Sequence, residues 1–207
     1  NGAPLFIQGG NWIPCDHLYG RTTPARLERL VSEAAEANFN CLRVWGGGVI
    51  YSAAMYNRAD ELGIMLLSEF PLANCVPEPD PVFLANFEFT ITNIIKQTRN
   101  HPCIVEWTGG NEVPWWPWPF QFPEPGPRHP ALQMMERLVR ELDGRIFRST
   151  ECAQGSGQHA LYTYVYHTEP APYLTWLGAG QQNLYPRYDT SREMRLSEFG
   201  CNSPANL

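Results

Sequence analysis

Short apolar segments alternate with longer amphipathic segments along most of the chain, and this alternation constrains the fold more than any other feature. Repeating β-then-α units imply parallel strands joined by right-handed crossovers. Strands are predicted at residues 5–7, 41–45, 64–67, 103–107, 145–148, 161–166 and 194–200. Helices are predicted at residues 24–38, 52–62, 81–99 and 130–142.

Seven strands, most of them followed by a polar or glycine-rich stretch, predict an α/β fold of the (β/α)8 TIM-barrel type, with about seven of eight units visible. A doubly wound sheet is the alternative, and the absence of a GxGxxG motif after the first strand weakens it. A complete barrel typically has about 250 residues, whereas this chain has 207. We therefore expect one barrel domain over residues 1–207, with its last unit outside this sequence or supplied by a partner.

Charge and motif content narrow the range of partners. Fifteen Lys and Arg against 21 Asp and Glu give a net charge of −6, and without a basic stripe no nucleic-acid partner is expected. No apolar run approaches the roughly 18 residues of a membrane span. The six cysteines lack CxxC spacing and the five histidines lack HExxH spacing, so we expect no metal site. Free buried thiols are expected, with a disulfide framework as the alternative. Periplasmic, secreted and cytoplasmic locations all stay open.

Two carboxylates stand where reactive groups of a barrel are found, just past the carboxyl ends of strands. Glu112 follows the fourth strand, and Glu198 ends the seventh. Strands four and seven face each other across the mouth of a barrel. Two carboxylates that flank a glycosidic bond can divide the work, because one protonates the leaving oxygen while the other attacks the anomeric carbon. Glu106, inside the fourth strand, is instead predicted to belong to a structural ion pair.

Several motifs occur in a consistent order over nearly the whole chain, and together they resemble glycoside hydrolase family 2, in its β-mannosidase-like branch. They are Gly9-Gly10-Asn11-Trp12-Ile13-Pro14-Cys15-Asp16, Leu42-Arg43-Val44-Trp45-Gly46-Gly47-Gly48, Asp60-Glu61-Leu62-Gly63-Ile64, Asn100-His101-Pro102, Asn111-Glu112 and Ser197-Glu198-Phe199-Gly200. The flanking β-sandwich domains that such proteins carry are absent from this sequence. The single domain is then expected to be the catalytic one.

The resemblance implies a role for each residue that matches. Glu112 corresponds to the general acid/base and Glu198 to the nucleophile. Asn111 corresponds to the residue that hydrogen-bonds the sugar 2-hydroxyl. Arg43 corresponds to an arginine near the nucleophile, where a fixed cation keeps a carboxylate ionised.

For four further candidates, a role in substrate binding and a structural role both stay open. Trp45 is expected to stack on the sugar or to fill the core, and Glu69 to bind sugar, to pair with Arg43, or both. Asp16 either touches substrate or caps a turn. Tyr166 either hydrogen-bonds the nucleophile or fills the barrel. Trp12, a member of the first motif, is a further candidate for substrate binding.

The implied activity is that of a retaining exo-glycosidase that needs no cofactor or metal and acts on a terminal β-linked sugar, with β-mannoside favoured. A β-galactosidase, β-glucuronidase or β-glucosaminidase is the first alternative. A non-catalytic barrel fragment is the second, and its unpaired strand edges would favour self-association.

Overall fold

The computed structural model describes residues 2–75, 77, 79–113 and 129–150, and the backbone of residues 158–163 and 196–201. The chain forms two compact units, residues 1–151 and 152–207. The strands of the first unit are β1 (Gly9–Trp12), β2 (Cys41–Val44), β3 (Met65–Glu69), β4 (Ile104–Thr108) and β5 (Ile146–Arg148). Its α-helices are α1 (Pro24–Glu36), α2 (Ala53–Leu62), α3 (Pro81–Thr98) and α4 (Pro130–Leu142). The second unit contains β6 (Gln158–Thr163) and β7 (Leu196–Cys201).

The five strands of the first unit form one parallel sheet in which spatial order equals chain order. One α-helix connects each strand to the next. A doubly wound sheet needs a point at which the strand order reverses, and the five described strands contain no such reversal. In the second unit, β6 pairs with β7, also in parallel. The predicted α/β class with parallel strands is therefore confirmed.

The helix boundaries follow from local capping chemistry. Thr23 accepts a hydrogen bond from the backbone of the first turn of α1 at 3.3 Å, and Asp80 caps α3 in the same way at 2.8 Å. Each cap is followed by proline, which needs no amide partner at the first helical position. Gly63 ends α2 in the left-handed conformation, with φ of 70°, where glycine carries no steric penalty.

Helices and sheet bury a common apolar core. Helix α1 packs against α2, and α3 packs against α4. The ring of Phe70 stacks on Trp107 with centroids 5.1 Å apart. Burial of such side chains is the main favourable contribution to folding. The most deeply buried large side chains are Trp107, Tyr56, Phe70, Met55, Leu66, Ile91, Ile95, Ile104, Leu132, Met135 and Val31.

The predicted position of the first strand is wrong. It was expected at residues 5–7, but Leu5, Phe6 and Ile7 are 62%, 80% and 50% exposed, and β1 is the following run Gly9–Trp12. Strands β1 and β2 approach each other closely at Gly9. A Cβ placed on Gly9 would lie 1.8 Å from the Cys41 carbonyl oxygen. Glycine is therefore required inside this strand, although its sequence signature is that of a turn.

Asp60, near the end of α2, fastens the helix to the chain that leads into β4. Its carboxylate accepts hydrogen bonds from the Cys103 amide at 2.8 Å and lies 2.7 Å from Nδ1 of His101. Partial burial by itself would raise the pKa of Asp60, but these hydrogen bonds outweigh it and lower the pKa. The motif that contains Asp60 and the motif that contains His101 therefore have a structural function, since they hold α2 to the segment before β4.

Four cysteines, Cys15, Cys41, Cys75 and Cys103, are free thiols, as the sequence predicts. Cys41 and Cys103 are buried as expected, whereas the expectation of burial is wrong for Cys75, which is exposed. Within the described ranges, no helix combines the length and the apolar character that crossing a bilayer requires.

Candidate active site

Four polar side chains at or just past the carboxyl ends of β1 to β4 meet in one hydrogen-bonded network: Asn11, Arg43, Glu69 and Asn111. Arg43 is at its centre. Its Nε donates to Glu69 at 2.7 Å, Nη1 to Asn11 Oδ1 at 3.1 Å, and Nη2 to Asn111 Oδ1 at 2.6 Å. The parallel strands bring these residues together although they are up to 100 positions apart in sequence, between Asn11 and Asn111.

The Arg43–Glu69 ion pair is almost completely removed from water, with side-chain exposures of 4% and 0%. Buried charges are tolerated only when they are paired and their remaining hydrogen-bonding capacity is used. Here the second carboxylate oxygen of Glu69 accepts the backbone amide of Gly46 at 2.7 Å. The predicted pairing of Glu69 with Arg43 is thus confirmed, and it fixes both side chains.

The segment after β4 is held in an unusual backbone conformation. Gly110 has φ of 149°, and a Cβ there would lie 2.3 Å from the Leu72 carbonyl oxygen, so only glycine fits. Glu112 has φ of 48°, a left-handed conformation that costs a non-glycine residue about 1–3 kcal/mol. Such strain is found preferentially at functional sites. Thr150 supports the segment, since its Oγ1 donates to Gly110 and accepts from the Val113 amide.

Asn74 is a member of this site that the sequence analysis missed. Its Nδ2 donates to Glu112 Oε2 at 2.5 Å, and its Oδ1 accepts from Asn111 Nδ2 at 3.2 Å. Its backbone amide donates to the Asn111 carbonyl at 2.9 Å. The available signal was a polar residue shortly after the end of β3, a position where parallel sheets place functional groups.

Trp12 and Trp45, both substrate-binding candidates, lie in different surroundings. Trp12 is buried and packs edge-to-face on Tyr51 with ring centroids 5.9 Å apart. Burial raises the pKa of Tyr51 to about 12. Trp45 is half-buried and its ring lies over the backbone of Gly47, where an added Cβ would be 2.0 Å from the ring. Glycine at position 47 therefore leaves room for the Trp45 ring.

Asp16 does not join the Arg43 network. Its carboxylate accepts from the Leu18 amide at 2.9 Å and from Arg26 of α1 at 3.2 Å. The bond from Leu18 is the main cause of the lowered pKa of Asp16. These contacts correspond to the turn-capping alternative. A role in substrate binding stays a prediction.

Glu106 fills the structural role expected of it. Its Oε2 accepts from Arg148 Nε at 2.6 Å, and its side chain is 7% exposed. The pair joins β4 to β5, which are neighbours in the sheet.

Glu198 lies in β7 of the second unit, where the backbone alone is described. Tyr166 lies outside the described residues. In the part of the chain with described side chains, no three His, Cys, Asp or Glu residues cluster as metal ligands would.

The sequence of this chain is similar to those of several β-mannosidases. No protein-family model matches the chain. It is 40% identical to a β-mannosidase of Mus musculus over 112 residues, which are 54% of this chain and 13% of the relative. It is 37% identical to a β-mannosidase A of Aspergillus clavatus over 113 residues, 55% of this chain and 12% of the relative. The chain therefore spans about an eighth of the length of these curated relatives.

Solved structures give the same result for the fold. The β-D-mannosidase of Dictyoglomus thermophilum is 32% identical with a TM-score of 0.66, over 72% of this chain and 19% of that one. β-Glucuronidase 3 of Bacteroides uniformis is 25% identical with a TM-score of 0.56, again over 72% and 19%. The resemblance to the β-mannosidase-like branch of glycoside hydrolase family 2, first indicated by the motifs, is thereby confirmed in both sequence and structure.

Proposed function

We propose that this chain is the catalytic part of a retaining exo-glycosidase that releases terminal β-linked mannose. The observation that carries the proposal is the Arg43 network, in a chain whose sequence is similar to β-mannosidases. Asn111 belongs to this network just past the carboxyl end of β4, and the next residue, Glu112, is linked to it through Asn74. That end is where barrel enzymes bind and transform substrate.

We propose that residues 1–207 form a single catalytic domain whose architecture is that of a (β/α)8 barrel. The singly wound order of β1 to β5 supports this architecture, since a barrel results when such a sheet continues in the same direction and closes. The parallel pairing of β6 with β7 is what the later strands of a barrel require.

The proposed reaction has two displacements with Glu198 and Glu112 in different roles. The Glu198 carboxylate attacks the anomeric carbon while Glu112 gives its proton to the glycosidic oxygen, so that the bond to the aglycone breaks and a glycosyl ester forms. Glu112 then takes a proton from water, which attacks the same carbon and releases Glu198. Two inversions give net retention, and the chemistry needs carboxylates about 5–5.5 Å apart.

Substrate binding is assigned to the residues around the network. Asn111 is held by Arg43 and Asn74, and it is proposed to hydrogen-bond the sugar 2-hydroxyl, a contact that strengthens in the transition state. Trp45, half-buried over Gly47, is proposed to face the apolar side of the sugar ring. Glu69, Trp12, Asp16 and Tyr166 are retained as binding candidates. The proposed chemistry needs no cofactor.

The protein that carries this chain is expected to hydrolyse nitrophenyl β-mannoside faster than the corresponding β-galactoside, β-glucosaminide and β-glucuronide. The β-glucuronide is included because a β-glucuronidase is among the similar structures. Proton NMR of the reaction is expected to show β-mannose before it mutarotates. Preference for another sugar would replace the substrate assignment, and α-mannose as first product would exclude double displacement.

A further inference from the structure

Asn74 forms the one described hydrogen-bonded link between the side chains of Asn111 and Glu112. We propose that Asn74 is a positioning residue that holds the carboxyl group of Glu112 in place for proton transfer. This inference rests on the proposed function, in which Glu112 is the general acid/base.

The direction of the hydrogen bonds is set from Arg43 outward. A guanidinium has donors only, so the oxygen of the Asn111 amide must face Arg43, at 2.6 Å. The Asn111 nitrogen is then turned toward Asn74 and donates to its oxygen at 3.2 Å. The Asn74 nitrogen consequently faces Glu112 and donates to Oε2 at 2.5 Å. Each amide has one orientation that satisfies both of its neighbours.

The Arg43 end of this series of hydrogen bonds is rigid. Arg43 and Glu69 are buried and paired, and Asn111 is itself 3% exposed. The hydrogen bond from Arg43 fixes the amide plane of Asn111, and the hydrogen bond from Asn111 fixes that of Asn74. Asn74 is thereby held in the orientation in which it donates to Glu112. Asn74 and Glu112 are more accessible than Asn111, and the hydrogen bond from Asn74 restricts the Glu112 side chain at this more accessible end.

The backbone of Asn74 fits the same role. It has φ of 53°, in the left-handed region, which asparagine tolerates better than most residues. In this conformation the Asn74 amide donates to the Asn111 carbonyl at 2.9 Å, and the Asn111 amide donates to the Leu72 carbonyl at 2.9 Å. The chain after β3 is thereby fastened to the chain after β4 at the point where the side chains of Asn74 and Glu112 meet.

A loss of positioning affects only steps that need proton transfer. A displacement of about 1 Å of a reacting group can reduce a rate about 100-fold, and general acid catalysis itself contributes about 10²- to 10⁴-fold. A 2,4-dinitrophenolate departs without protonation, whereas a phenolate needs it. The ratio of kcat/KM for phenyl and 2,4-dinitrophenyl β-mannosides therefore reports on Glu112 alone, and a structural defect would lower both values equally.

The test compares Asn74→Gly and Asn74→Asp with wild type in the full protein. Glycine keeps the left-handed backbone without the side chain, and ionised aspartate keeps the size without the donor. Asn38→Gly is the matched control, because Asn38 is also a left-handed asparagine, with φ of 61°, but lies at the opposite end of the strands, just before β2.

Both Asn74 variants are expected to lower kcat/KM for the phenyl substrate about 10-fold or more, with a change of less than about threefold for the dinitrophenyl substrate. Asn38→Gly is expected to change neither. Equal losses on both substrates, or no loss, would overturn the positioning role. A wild type without β-mannosidase activity would instead overturn the proposed function. Crystal structures of wild type and Asn74→Gly then decide the inference: a displaced Glu112 carboxylate supports it, and an unmoved one overturns it.

Discussion

Replacing Glu198 by alanine is expected to lower the hydrolysis of 2,4-dinitrophenyl β-mannoside by at least about 10⁴-fold, because the covalent intermediate can no longer form. Adding azide is expected to restore turnover. The small anion would enter the space left by the carboxylate and attack the anomeric carbon as the dinitrophenolate leaves. A single displacement gives the α-mannosyl azide, and NMR of the product identifies it.

The control for this substitution is Glu61→Ala. Glu61 is an exposed carboxylate on α2 that forms an ion pair with Arg58, and its loss should leave kcat unchanged. Hydrolysis by Glu198→Ala at the wild-type rate would remove Glu198 from the reaction. Azide product of β configuration from this variant would assign Glu198 the other carboxylate role.

Replacing Arg43 by methionine is expected to lower the free energy of unfolding by about 3–5 kcal/mol, since it leaves the Glu69 carboxylate buried without its cation. Arg43 and Glu69 are 4% and 0% exposed, so water cannot take the place of the lost partner. Activity should fall in the same variant because Asn111 loses the donor that orients it. Urea unfolding measures the first effect, and kcat/KM on the nitrophenyl mannoside measures the second.

Arg29→Met is the matched control for burial. The Arg29–Glu33 pair has the same 2.7 Å separation between nitrogen and oxygen as Arg43–Glu69, but its side chains are 78% and 47% exposed. A surface pair of this kind stabilises the fold far less than a buried pair, because water solvates both charges. The double variant Arg43→Met/Glu69→Gln should lose less than the sum of the two single variants. Strictly additive losses would contradict the buried pair as a coupled unit.

The order of the strands and helices in the first unit could be predicted from the sequence because each helix has its own boundary signals. The caps Thr23 and Asp80 with their prolines, and Gly63 at the end of α2, mark boundaries by local chemistry. The position of β1 could not be predicted from such local signals. Gly9 is required by the approach of Cys41 from a neighbouring strand, and such a contact has no local signature.

The members of the site were predictable to the extent that they follow strands. Arg43, Glu69 and Asn111 each lie at or just past a strand end, and the structure joins them in one network. Asn74 was missed because its role depends on the left-handed backbone and on its distance to Glu112. Neither property is visible in the order of residues. For Asp16 the sequence left open substrate contact or a turn cap, and its described contacts with Leu18 and Arg26 correspond to the turn cap.

The most direct test of the central claim measures kcat/KM for p-nitrophenyl and 2,4-dinitrophenyl β-mannoside in wild type and in Glu112→Gly. Glycine removes the carboxyl group and relaxes the left-handed backbone at this position. We expect wild type to hydrolyse both substrates, and the variant to lose about 10²- to 10⁴-fold on a leaving group that needs protonation, with the smaller loss on the dinitrophenyl substrate. An unchanged rate in the variant, or a folded wild type that hydrolyses neither mannoside, would contradict this assignment.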